Sequence, residues 1–184
     1  VNAVISGLAP RRKPTSWWQH VPSLAASLAP GLAFACGLVV LAARPGFAWL
    51  ASPARWPWEL WTIGVAGSAA TVAGVCDWIY HRRAKITVGP RERRAELIAL
   101  GLGGVPLFGL MAGATLSARP AYFLVPVMVT LVFTAVTIAY DEIVFHQRRC
   151  TGFETALHRV LVFGHAIAFA AWVSFTFVRG GYAA

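Results

Sequence analysis

Five apolar stretches, each about 20 residues long, dominate the chain, and that is the length a helix needs to cross a bilayer. They run over residues 22–43, 59–80, 95–117, 122–145 and 155–178. The gaps between them carry helix-ending signals. Arg44-Pro45-Gly46 follows the first stretch and Arg119-Pro120 the third. Val88-Gly89-Pro90 precedes the third, with Pro90 placed as a first helical residue. Gly180-Gly181 follows the fifth. Pro30, Pro106 and Pro126 fall inside stretches and are expected to kink them, which neighbouring helices can compensate. Hydrophobic residues make up 58 % and charged residues only 12 %, which excludes a water-soluble enzyme, a disordered tail and a disulfide-stapled secreted scaffold. The expected fold is an all-α polytopic membrane protein. Residues 1–21 form a basic, Trp-containing interfacial segment, and residues 22–184 form one transmembrane domain. Spans two to five build a four-helix bundle with a parallel internal repeat.

The net charge of +9 could suggest nucleic acid, but the basic residues lie between the apolar stretches, where they act as orienting loop charges. Twelve collect on one side, at residues 11–13, 82–85, 91–94, 148–149 and 159; the other side has Arg44, Arg55, Arg119 and Arg179. The positive-inside rule then places the N-terminus in the cytoplasm and the C-terminus outside, in a bacterial-type inner or plasma membrane. Trp17, Trp18, Trp49, Trp56, Trp58 and Trp61 fall near span ends, as interfacial anchors do. The run after the basic cluster at residues 11–13 is longer than a signal-peptide core, so it reads as a true span. Cys36, Cys76 and Cys150 are odd in number and widely spaced, and imply no disulfide framework.

The acids and histidines are not scattered. Six of the seven acids lie in two windows, 77–96 and 141–154, and four of the five histidines lie in or just beyond them. In the expected topology both windows are the cytoplasmic ends of spans two to five. Charged groups there are costly and face a partner, a cavity or a metal. The windows resemble each other. The first reads Asp77-x-x-x-His81, a basic turn, then Glu92-x-x-x-Glu96. The second reads Glu142-x-x-x-His146, a basic turn, then Glu154-x-x-x-His158. Residues four apart share a helix face, so these are four same-face pairs on four helices. In a bundle they converge at one level as metal ligands, with Asp141 and His165 as further candidates. Asp141 continues a stripe of Thr130, Thr134 and Thr137. Gly67, Ala70 and Gly74 share a face with Asp77 and His81, so close helix packing and the site coincide.

Soluble di-iron and di-manganese bundles solve the same problem with carboxylates and Glu-x-x-His pairs on four helices, a likeness of architecture alone. Glu142-x-x-x-His146-Gln147 followed by His158 is similar to the Asp-x-x-x-His…His copper motif in the C subunit of copper membrane monooxygenases. The likeness covers 17 residues, with Glu in place of Asp and the second His one position closer. It implies copper as an alternative metal.

Each residue also has a local explanation. Thr151-Gly152-Phe153-Glu154 is a capping box, Glu92 suits the first turn of a helix, Asp77 and Glu142 can pair with nearby arginines, and His165 can bond a carbonyl in the core. Independent caps do not explain why the acids and histidines share one level. No phosphate loop, dinucleotide fingerprint, nucleophile elbow or desaturase-type histidine box is present. The expected function is a membrane oxidoreductase with two transition-metal ions, iron first and Zn, Mn or Cu as alternatives. Its substrate would be a lipid, quinone or isoprenoid reached from the bilayer, with an electron donor or membrane complex as a possible partner. The alternatives are a Zn-dependent hydrolase and a haem- or metal-binding subunit of a membrane complex. A divalent-metal transporter fits less well, because the polar residues cluster at one end rather than at mid-membrane.

Overall fold

The computed structural model describes residues 21–84, 89–146 and 150–180, and these are helical with no strand among them. Helix α1 spans Val21–Ala42 and α2 spans Trp58–Arg83. A third long helix combines α3 (Pro90–Ile98), a π turn (Ala99–Gly104) and α4 (Val105–Leu116). Next comes α5 (Leu124–Asp141), which runs into a π turn at Glu142–His146. Finally α6 (Gly152–Val173) ends in a π turn at Ser174–Val178. Four helices are long and apolar enough to cross a membrane: Trp58–Arg83, Pro90–Leu116, Pro120–Phe145 and Gly152–Val178. A shorter apolar helix, Ser27–Ala42, lies within α1. Their outer faces carry exposed Val65, Val72, Val129, Val132 and Val136, surface that water disfavours and lipid tolerates. This is the helix set of an integral membrane protein.

The prolines act differently from one another. Pro106 lies two residues beyond the end of the wide turn Ala99–Gly104, which accommodates a residue unable to donate the regular helical hydrogen bond. Pro126 sits in the first turn of α5, where a missing N–H costs nothing. Pro30 lies well inside α1.

Small residues set the packing. α6 lies against α2 at Gly164, where a Cβ would sit 2.9 Å from both Ala66 O and Ala70 Cβ. α1 approaches α2 at Gly31, whose Cβ would meet Thr71 Oγ1 at 3.1 Å, and Ser27 stands over Gly74. Gly67 has nothing within 4 Å of an added Cβ, so it does not share the packing role expected of that face. One apolar cluster joins Leu41, Leu50, Leu60 and Phe175, and another joins Leu107, Ala114, Val127 and Trp172. Trp172 Nε1–H also donates to Thr115 Oγ1 at 2.9 Å, tying α6 to α4. At this same end Arg179 Nε donates to the buried Glu59 Oε1 at 3.1 Å, joining the start of α2 to the end of α6. Trp56 Nε1–H donates to Leu50 O at 2.8 Å, while Trp58 and Trp61 stay about half exposed, as interfacial tryptophans do. Trp17 and Trp18 lie outside the described residues.

Candidate metal centre

At the opposite end of the α2–α6 pair, the last turn of α2 meets the first turn of α6. The antiparallel contact that passes through Gly164 brings Asp77 and His81 beside Glu154 and His158. His81 Nε2 lies 2.6 Å from Glu154 Oε1 and 3.6 Å from Asp77 Oδ1. His158 Nε2 lies 3.4 Å from Asp77 Oδ1, and its Nδ1 lies 3.2 Å from Glu142 Oε2. The five side chains form one alternating line, Glu154–His81–Asp77–His158–Glu142, drawn from α2, α6 and the π turn after α5.

Glu154 does two things at once. Its Oε2 accepts from Thr151 N–H at 3.4 Å, and its own N–H donates to Thr151 Oγ1 at 3.3 Å, which closes the capping box. Its Oε1 is left for His81. The local and the functional explanations therefore use different oxygens of one carboxylate. The side chain is 1 % exposed, so nothing but protein groups surrounds it. Tyr80 OH lies 3.1 Å from Thr151 Oγ1 and holds the same corner.

Asp77, His81 and Glu154 each offer one ligand atom, all within 4.8 Å of one another, and they are the one such group of three among the described residues. The donor set is two carboxylate oxygens and one imidazole nitrogen, which suits Fe, Mn or Zn. A tetrahedral ion bound at about 2.0–2.2 Å from each holds its donors about 3.4 Å apart, so the short His81–Glu154 contact would have to widen, while His81 and Asp77 are already at about that separation. Asp77 Oδ1 is buried and faces two imidazoles, His158 at 3.4 Å and His81 at 3.6 Å, a position that a bound cation would also satisfy.

The other predicted ligands are placed as follows. Glu92 is buried at the start of α3, where its Oε2 accepts from the N-cap Gly89 N–H at 3.4 Å. Glu96 follows one turn later on α3. Asp141 ends α5 with a buried Oδ1. The side chain of His146 lies outside the described residues. His165 bonds the carbonyl of Leu161, the core arrangement anticipated for it, and its Nε2 is buried without a hydrogen bond. The threonine stripe turns inward on its own helix. Thr130 donates to Pro126 O, Thr134 to Thr130 O and Thr137 to Phe133 O.

Sequence reasoning overlooked Cys150. Its thiol hydrogen-bonds the Glu154 carboxylate. The available signal was its position four residues before Glu154. Two apolar clefts of about 430 and 200 Å³ lie toward the other end, one lined by Trp61, Val65 and Ile167, the other by Phe34, Leu60 and Trp172, so neither is part of this centre. No family model matches the sequence, and no curated protein or solved structure is measurably similar to it.

Proposed function

We propose that this chain is a membrane-embedded, metal-dependent oxidoreductase acting on a lipophilic substrate. The observation that carries the reading is the Asp77–His81–Glu154 group at the end of long apolar helices, extended by His158 and Glu142. Ionisable groups in such helices are retained for ion, proton or substrate chemistry. Asp77, His81 and Glu154 would hold the ion, which would supply one-electron chemistry toward O₂ as oxidant. His158 is held between Asp77 and Glu142, so it orients both and can pass a proton from one carboxylate to the other. The centre lies near the membrane surface, where the reactive head of a lipid, quinone or isoprenoid meets protein side chains. In this reading the chain has five spans, with its N-terminus and the centre on the cytoplasmic side.

One observation favours a second reading. Three protein ligands is the count a catalytic zinc site uses, with water as the fourth, so a zinc-dependent membrane hydrolase fits the same group. Metal analysis and an optical spectrum of the purified protein separate the readings. Iron without a Soret band is expected. Zinc alone would replace the oxidoreductase with the hydrolase. A Soret band would replace both with a haem subunit, and wild-type protein free of any metal would overturn the proposal.

A further inference from the structure

The bundle carries one construction twice. α6 meets α2 at Gly164 over Ala70. The third long helix meets α5 at Gly103, where a Cβ would lie 2.7 Å from Thr134 Oγ1 and 3.2 Å from Thr134 Cα. Measured from these two contacts, the polar residues recur. Ala70 stands seven residues before Asp77, and Thr134 seven before Asp141. Gly164 stands ten residues after Glu154, and Gly103 eleven after Glu92. Glu154 and Glu92 are both third residues of their helices, and both accept from the backbone N–H of their N-cap residue. The single extra residue falls where the π turn Ala99–Gly104 lies, and a π turn is a local one-residue expansion of an α-helix. A second π turn begins directly after Asp141.

We propose that Glu92 and Asp141 are the counterparts of Glu154 and Asp77, and that they build a second divalent transition-metal centre at the same end of the bundle. The inference rests on the metal reading of the first group and deepens it from one ion to two. In this register Asp141, not Glu142, answers Asp77. Matching the windows by acid-x-x-x-His spacing selects Glu142 instead, because the extra residue of the π turn cannot be seen in the sequence. Glu142 is that extra residue, and it turns to His158, which holds Asp77 on its other nitrogen. Glu142 thereby becomes a positioning residue that links the two halves. Burial is shared with the first group: Glu92 is 8 % exposed and Asp141 Oδ1 is buried, both on apolar spans. His146 stands at the end of the same π turn, the sequence position that answers His81.

The test is metal stoichiometry of the full-length protein in detergent, loaded anaerobically with Fe(II) and desalted. Two ions per chain are expected. Asp141→Asn should halve the count, and so should Glu92→Gln, whose amide oxygen can still accept from Gly89 N–H. Glu142→Gln should keep both ions. One ion per chain, lost with Glu154→Gln but not with Asp141→Asn or Glu92→Gln, would overturn the second centre and leave the first standing. Loss of an ion with Glu142→Gln and not with Asp141→Asn would overturn the register. A wild type without iron would overturn the metal reading itself.

Discussion

Glu154 shows how much one side chain can carry. A capping box and a ligand had seemed competing explanations, yet the carboxylate has two oxygens and the structure uses one for each. Two substitutions separate the roles. Glu154→Gln keeps the cap and removes the charge, so metal content should fall several-fold while thermal stability shifts by less than about 1 kcal/mol. Thr151→Ala removes the hydroxyl that accepts from Glu154 N–H, so it should cost about 1 kcal/mol and leave most of the metal in place. Paired metal analysis and melting curves in detergent check both. The opposite pattern, metal lost with Thr151→Ala and kept with Glu154→Gln, would make Glu154 a cap and nothing more.

Among the helices, the decisive contacts are backbone approaches at glycine. Gly164 lets α6 touch α2 so closely that a methyl group would collide with the carbonyl of Ala66. Backbone cannot swing aside as a side chain can, so Gly164→Ala should destabilise by about 1–3 kcal/mol. It should also disturb metal binding, because the Gly164 contact sets the register that brings His81 to Glu154. Gly67 lies on the same helix pair with open space around it, so Gly67→Ala should be neutral or stabilising by up to about 1 kcal/mol. Thermal melts of the two variants provide the comparison. Equal destabilisation would mean that the interface is not seated on Gly164.

For the molecule as a whole, the open question is orientation. In the expected topology twelve basic residues fall on one side of the membrane and four on the other. Under the positive-inside rule a reporter fused after Ala184 should be active only if it works outside the cytoplasm, and one fused before Val1 only if it works inside. A cytoplasm-only reporter active after Ala184 would overturn both the five-span reading and the cytoplasmic placement of the centre. The Glu59–Arg179 bond at the opposite end joins the start of α2 to the end of α6, so the same two helices are fastened at both ends of the bundle.

The apolar stretches, the helix stops and the capping box were legible in the sequence because each depends on neighbours within a few residues. Length against bilayer thickness, a proline before a turn and a Thr-x-x-Glu before an apolar run all act locally. So did the crowding of acids and histidines into two windows, and with it most of the candidate site. Which acid meets which histidine was not legible. Glu154 and His158 share a helix face, yet Glu154 bonds His81 and His158 lies between Asp77 and Glu142. That pairing depends on the register of two antiparallel helices whose contacting residues lie 73 positions apart in the chain, set where a glycine permits backbone contact. The π turns were hidden for a related reason. They come from how a helix fits its neighbours and, at Ala99–Gly104 alone, from Pro106 just beyond, and no residue within the turn announces them. Only the tertiary structure could decide that Glu142 turns to His158, because one residue added to a helical turn changes which side chain faces the interior.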